Sequence, residues 1–187
     1  IKKTKLFFEQ PDFFMAWLIA EITKHKAGAK KQGADFSARL NCTSDIDWQN
    51  VRVDDKNIFE LFPDVQFYDY TKNPNKFINL PDNYHLTFSY TGRNWNACEA
   101  LLKRGYNIAV VFKKELPDAF KGFKVVNGDL TDYRVADGKG VIIGLKWKRI
   151  ANKEAENAVL DSIFVVDGIQ VRKDDMKSVI NTLIDNM

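Results

Sequence analysis

Val65-Gln-Phe-Tyr-Asp-Tyr-Thr71, Tyr84-His-Leu-Thr-Phe-Ser-Tyr90 and Asn107-Ile-Ala-Val-Val-Phe112 are three runs of strand length. Each is rich in aromatic and β-branched residues, which suit a pleated, half-buried surface. Between the second and third, residues 94–104 carry Trp95, Cys98, Leu101 and Leu102 as one helical stripe and stop at Gly105. Strand, helix, strand at this spacing is the unit of a parallel sheet, because parallel neighbours need a long crossover.

Working outward, further strands are expected at 36–42, 123–127 and 140–145, and helices at 12–32 and 57–62. Pro11 suits a first helical turn, and Gly33 and Pro63 supply stops. Lys24, Lys26, Lys30 and Lys31 crowd the end of the long helix, where cations favour the negative end of the dipole. The pattern predicts an α/β protein with mostly parallel strands. A closed eightfold barrel takes ~250 residues and rarely fewer than ~200, and six strands do not complete one. The expectation is an incomplete (βα) barrel over residues 1–150, with a flavodoxin-like open sheet as the alternative. Residues 151–187 read as an extension of the same domain. Runs at 162–166 and 169–171 flank Asp167-Gly168, a tight-turn dipeptide, and 173–187 form an amphipathic terminal helix with Met176, Val179, Ile180, Leu183 and Ile184 on one face.

Composition excludes several classes. Of 187 residues, 45% are apolar and 28% charged, a globular balance rather than a disordered or collagen-like one. The formal charge of +3 does not by itself mark a nucleic-acid binder. Two cysteines, Cys42 and Cys98, exclude a disulfide framework and a four-cysteine site. No apolar run approaches the ~20 residues of a membrane span, and the charged first nine residues lack a signal-peptide pattern. A cytoplasmic protein without a membrane partner is expected. The chain opens at Ile1 rather than methionine, so sequence upstream of it is expected.

In either fold, functional groups gather at the carboxyl ends of the strands. The first strand exits through Asn41, Thr43, Ser44 and Asp45, the second through Asp69, Thr71 and Lys72, and the third through Ser89, Thr91 and Arg93. Asp129, Asp132 and Arg134 follow the fifth, and Lys146 and Lys148 the sixth. By period-two alternation Arg39, Asn41 and Thr43 share a face, as do Asp69 and Thr71, and as do His85, Thr87 and Ser89. Their apolar alternates, Ala38, Leu40, Leu86 and Phe88, are expected to face the helices. An inner face this polar needs internal hydrogen bonds, water or a ligand, because an unpaired buried polar group costs ~1–3 kcal/mol.

Other residues weigh less. His85 lies near the amino end of its strand and reads as structural, and His25 sits among surface lysines. Cys42 and Cys98 read as small buried hydrophobes. Asp45, Asp69, Asp129 and Asp132 have the oxygen chemistry of a divalent-cation site, which spacing alone does not assemble. Asp129, Asp132 and Arg134 also suit a local ion pair ordering a loop. Tyr68, Tyr70, Tyr90, Trp95 and Trp147 interleave with Lys72, Arg93, Lys146 and Lys148, a mixture that stacks and clamps nucleotides. P-loop, dinucleotide-binding, zincin and nucleophile-elbow signatures are absent.

Together, Arg39-Leu-Asn-Cys-Thr-Ser-Asp45, Phe62-Pro-Asp-Val-Gln-Phe-Tyr-Asp-Tyr-Thr-Lys72, Tyr84-His-Leu-Thr-Phe-Ser89 and Val126-Asn-Gly-Asp-Leu-Thr-Asp-Tyr-Arg134 resemble a family of phage and prophage proteins of unknown function, distantly similar to truncated radical-SAM barrels. The resemblance runs from about Lys3 to Lys148. It implies an upstream cysteine-rich segment able to ligate an iron–sulfur cluster, so a cluster and S-adenosylmethionine are expected only with residues preceding Ile1. It also implies glycine where this chain has Cys42, which argues against a catalytic thiol. Asn41, Thr43, Ser44, Asp45, Asp69, Thr71, Lys72, Ser89, Asp129, Asp132 and Arg134 fall on matching positions.

The resulting expectation is a radical-SAM-like barrel enzyme of a phage-infected or lysogenic host, modifying a nucleotide or nucleic acid. Asp45, Asp69 and Asp129 are the catalytic candidates. Lys72 and Arg93 hold an anionic group, Asn41, Thr43, Ser44, Thr71 and Ser89 line the site, and Asp132 and Arg134 order the rim with Asp129. The rival expectation is a non-catalytic binding or assembly protein with a degenerate barrel, its terminal helix docking on a protein partner.

Overall fold

The computed structural model describes residues 2–148, 151–160 and 162–168. Two helices lead, α1 (Lys2–Glu9) and α2 (Pro11–Lys31). The break at Gln10, with φ −142° and ψ 66°, follows from Pro11, whose ring disfavours a helical conformation in the residue before it. Phe7 and Phe14 meet edge to face across the junction at 5.5 Å, and Phe14 stacks on Trp48 at 6.2 Å. The α2 end is a Schellman motif: the Gly33 N–H donates to Lys30 O and the Ala34 N–H to Ala29 O, with Gly33 at φ +65°.

The sheet contains β1 (Ser37–Ala38), β2 (Gln66–Thr71), β3 (Tyr84–Ser89), β4 (Asn107–Phe112), β5 (Ala119–Phe120), β6 (Phe123–Asn127), β7 (Ile142–Lys146) and β8 (Val165–Val166). Its order is β1-β2-β3-β4-β7-β6-β5, with β8 also pairing β4. All these pairings are parallel except β5 with β6. The expected α/β protein with a mostly parallel sheet is thus observed, and the sheet is open. The run β1-β2-β3-β4 follows chain order, unlike the flavodoxin-like order 2-1-3-4-5. Two short helices, α3 (Ile58–Leu61) and α4 (Trp95–Lys103), fall within the expected windows, and α5 (Lys153–Leu160) follows β7.

Register decides which side chains share a face. Tyr68 pairs with His85 and Tyr70 with Thr87, whereas Asp69 pairs with Leu86 and Thr71 with Phe88. Asp69 and Thr71 therefore lie on the same face as Phe88, Ile108 and Ile142, against the helices. This corrects the expected polar inner face: its members on β2 are Tyr68 and Tyr70, and on β3 His85, Thr87 and Ser89. Phe67, on the Asp69 side, meets Phe59 of α3 edge to face at 5.1 Å, and α4 packs on β3 and β4 through Cys98, Leu101 and Leu102.

The first strand also departs from expectation. Only Ser37–Ala38 of 36–42 is strand. The Asn41 N–H is taken by the Asp69 carboxylate at 2.7 Å, so a side chain replaces the neighbouring strand as acceptor and the chain leaves the sheet. In the tail, β8 joins β4 in parallel; the second hairpin run and the terminal helix lie outside the described residues. No helix among the described residues is long and apolar enough to cross a membrane.

Candidate functional site at the carboxyl ends of the strands

Two cavities open beside the carboxyl ends of β2 and β3, of about 500 Å³ and about 410 Å³. They share Arg39, Tyr70, Lys72 and Ser89. Beyond this neck the larger cavity is lined by Tyr90, Val111, Leu145 and Phe164, with Asp129, Asp132 and Lys148 at its polar side. The smaller is lined by the 41–45 loop and Thr71. Strand-end placement thus brings together Asn41, Thr43, Ser44, Asp45, Thr71, Lys72, Ser89, Asp129 and Asp132 as expected.

The wall of the smaller cavity is a closed hydrogen-bond system. Asn41 is the hub: its side-chain oxygen accepts from Ser44 Oγ at 2.9 Å, the Ile46 N–H at 3.0 Å and Trp48 Nε1 at 3.1 Å. Its amide nitrogen donates to Ile46 O at 3.0 Å. Asp45 accepts from Thr71 Oγ1 at 2.9 Å and the Lys72 N–H at 3.1 Å. Lys76 completes the loop from beneath, donating to Asp45 O at 2.9 Å, Asp45 Oδ1 at 2.5 Å and Ile46 O at 2.8 Å. Burial pushes the Asp45 carboxyl up, but the Lys76, Lys72 and Thr71 hydrogen bonds outweigh it and hold the carboxyl below its ordinary value. Asn41, Ser44, Asp45 and Thr71 therefore build the wall, leaving Thr43, Lys72 and Ser89 as its outward-facing chemistry.

Asp69 does not reach either cavity. It is fully buried, accepting the Asn41 N–H and, at 3.0 Å, the Tyr84 hydroxyl. Burial dominates and raises its carboxyl to about 6 despite both donors. The catalytic role expected of Asp69 is replaced by a positioning one, anchoring the 41–48 loop. The sign of its linkage follows. A folded-state value of about 6 against an ordinary 3.8 means the folded chain binds the extra proton between those values, so stability rises as pH falls through about 6 towards 4. The gain is on the order of 2–3 kcal/mol. Urea unfolding of wild type and Asp69→Asn at pH 4.5 and 7 checks it; the acid-side gain is expected to shrink strongly in the variant.

Asp45, Asp69, Asp129 and Asp132, whose oxygen chemistry would suit a divalent cation, do not converge, because each carboxylate is directed elsewhere. Asp129 accepts the Lys146 N–H at 2.8 Å and lies 3.7 Å from Lys148 Nζ. Asp132 pairs with Arg39 at 2.6 Å. Among the described residues no three histidine, cysteine or acidic side chains are grouped to hold a metal. The expected ion pairing of Arg134 with Asp129 or Asp132 is likewise corrected. Arg134 is fully buried, lies 3.3 Å from Asp137, and donates from Nη2 to Thr131 O.

Arg134 sits behind the cleft floor rather than on its surface. Its 3₁₀ turn, Arg134–Ala136, lies against β3. A Cβ built on Gly128, which lines the larger cavity, would come within 2.8 Å of Arg134 Nη1 and collide with Ile143. Glycine here lets the guanidinium underlie the floor. His85 and Thr87 share this layer; their Nε2 and Oγ1 atoms, like Arg134 Nε and Nη1, are buried without a hydrogen bond among the described residues. Burial lowers the His85 value, with Asp137 opposing and Arg134 reinforcing the shift, which favours the neutral imidazole.

Arg93 is exposed before α4 and is not among the residues lining the two cavities. Cys42 is exposed and lines the smaller cavity, contrary to the buried hydrophobe expected, because the chain has already left the sheet there. Cys98 is buried as expected, and burial pushes its thiol up to about 12. His25 pairs with Glu21 on the surface at 3.2 Å. Trp95 packs with Tyr90, Phe120 and Phe123. Sequence reasoning missed Arg39 and Lys76 as site residues. The Arg39 guanidinium lies 4.9 Å from the Tyr70 ring centre; alternation with Asn41 and Thr43 was its only signal.

Fold and site together define an α/β protein with a parallel sheet and a mixed cationic and aromatic cleft at the carboxyl ends of its strands. The chain belongs to the Gene product 88 family, which it matches over residues 1–161. That description is a gene-product designation, in keeping with the phage-protein resemblance at that level, and it says nothing of radical-SAM barrels. No curated protein and no solved structure matches the chain.

Proposed function

We propose that the cleft is the ligand site of a nucleotide- or nucleic-acid-modifying enzyme. The carrying observation is the meeting, in one cleft, of Arg39, Lys72 and Lys148 with the rings of Tyr70 and Tyr90. Cations attract a phosphate, and aromatic faces accept a base whatever its identity. Asp129 is the catalytic candidate best situated in this reading: it lines the ring-bearing cavity while Lys146 and Lys148 hold its carboxylate in place.

The β1-β2-β3-β4 run in chain order supports a barrel-like ancestry. A radical-SAM-like reaction would further require an iron–sulfur cluster, which is held by cysteine thiolates. The donor set of this chain does not fit one. Its two cysteines are separated in role, Cys42 on the cleft rim and Cys98 inside the α4 core with its thiolate strongly disfavoured. A cluster would need cysteines from outside residues 1–187.

Isothermal titration of the chain with a nucleoside monophosphate and the corresponding nucleoside tests the ligand class. The monophosphate is expected to bind at least tenfold more tightly, a difference of about 1.4 kcal/mol, and Arg39→Gln is expected to remove most of it. Equal affinities, or no binding of either, would overturn the reading.

A further inference from the structure

The cleft has two compartments, and the groups at their junction differ from those on either side. At the neck stand Arg39 and Lys72, with Tyr70 and Ser89. The Arg39 guanidinium is held by Asp132 through Nη1 and lies over Tyr70, while its Nε is buried without a hydrogen-bond partner among the described residues. Lys72 is fixed at its backbone by Asp45, and its exposed side chain extends at the junction of both cavities. Two cations that line both cavities suit an anionic group in the middle of a ligand rather than at one end.

The compartments on either side are each large enough for a ring-bearing group, since ligand pockets span ~300–1,000 Å³. The larger offers Tyr70, Tyr90 and Phe164 around an apolar floor of Val111 and Leu145, a surface for stacking. The smaller offers the Thr43 hydroxyl and the pre-formed Asn41–Asp45 wall, a surface for a hydroxyl-rich sugar. A mononucleotide occupies one compartment and places its phosphate at the neck. A second nucleoside beyond the phosphate would fill the other.

We infer that the recognised unit is a dinucleotide step of single-stranded nucleic acid, its phosphodiester at Arg39 and Lys72 and one nucleoside in each compartment. This inference rests on the nucleotide-binding reading above and adds a second subsite to it. Stacking contributes roughly 1–3 kcal/mol per base, so the second nucleoside should raise affinity measurably.

The test compares thymidine 5′-monophosphate with the dinucleotide pTpT by titration against the full chain, for wild type and Lys72→Gln. The Lys72 side chain is exposed and its structural bond is made by its backbone N–H, so the variant retains the fold. The dinucleotide is expected to bind at least tenfold more tightly than the monophosphate, and Lys72→Gln to reduce that ratio to about twofold or less. Equal binding of the two ligands by wild type would overturn the two-subsite inference while leaving the nucleotide reading intact. Binding of neither would overturn both. A ratio unchanged in Lys72→Gln would contradict the phosphodiester's position at the neck.

Discussion

Lys76→Met is expected to destabilise the protein by about 2–4 kcal/mol and to abolish ligand binding in the smaller compartment. The Lys76 side chain is 2% exposed and delivers hydrogen bonds to Asp45 O, Asp45 Oδ1 and Ile46 O. Methionine keeps the stem and deletes the ammonium, leaving two carbonyls and a carboxylate without their shared donor. Breaking a buried pair costs roughly 3–5 kcal/mol. The Asp45 side chain is 39% exposed, so water takes part of the load and the cost falls to about 2–4 kcal/mol, at or below the bottom of that range. Because Asp45 also receives Thr71 and the Lys72 N–H, the loss spreads directly to the neck residue Lys72. Urea unfolding followed by circular dichroism reads the stability change as a fall in midpoint with unchanged slope. A fall corresponding to less than about 1 kcal/mol would show that the loop does not depend on this lysine.

Arg134→Met is expected to cost about 3–5 kcal/mol, because it strands the mostly buried Asp137 carboxylate and frees the Thr131 carbonyl. The double variant Arg134→Met/Asp137→Asn is expected to recover more than half of that loss, since removing both charges leaves no ion uncompensated. The direction of the cycle separates an architectural arginine from a merely space-filling one. If the double variant is no more stable than Arg134→Met alone, the ion pair is not the source of the cost. The consequence for function is geometric. Residues 128–132 supply Gly128, Asp129, Thr131 and Asp132 to the larger compartment, and Arg134 is the post to which this segment is tied.

Much of this architecture is written in local sequence. The long helix ends where Gly33 provides a left-handed residue, and α4 ends in the same way: the Gly105 and Tyr106 N–H groups donate to Leu102 O and Leu101 O, with Gly105 at φ +88°. The central strand β4 runs over the stretch expected from its continuous apolar residues, which suit a strand covered on both faces. The strand ends likewise pointed to the cleft, since loops at the carboxyl ends of parallel strands converge.

What escaped the sequence was non-local. Alternation says which residues of a strand share a face, but only register says which face that is, and so Asp69 was expected beside Ser89 rather than behind it. Tyr70, legible in sequence as one of several rings able to stack a nucleotide, takes the cleft face of β2 that Asp69 was expected to hold. The early end of β1 depends on a carboxylate 28 positions away in sequence. Lys76 gave no signal, because a lysine in a polar loop ordinarily reads as solvated, and only the folded loop shows three acceptors converging on it. Asp137 and Arg134 pair at i and i+3 within a 3₁₀ turn, a spacing that nearby Asp132 and Asp129 obscured.

The claim on which the account turns is that the cleft at the carboxyl ends of β2, β3 and β4 receives a nucleotide. Backbone-resolved NMR titration of the full chain with a nucleoside monophosphate addresses it most directly. The account predicts saturable shifts concentrated at Arg39, Tyr70, Lys72, Ser89 and Gly128, with the lysine-rich end of α2 unchanged. Saturable shifts centred on Lys24, Lys26, Lys30 and Lys31, or no saturable shifts at the cleft, would contradict it.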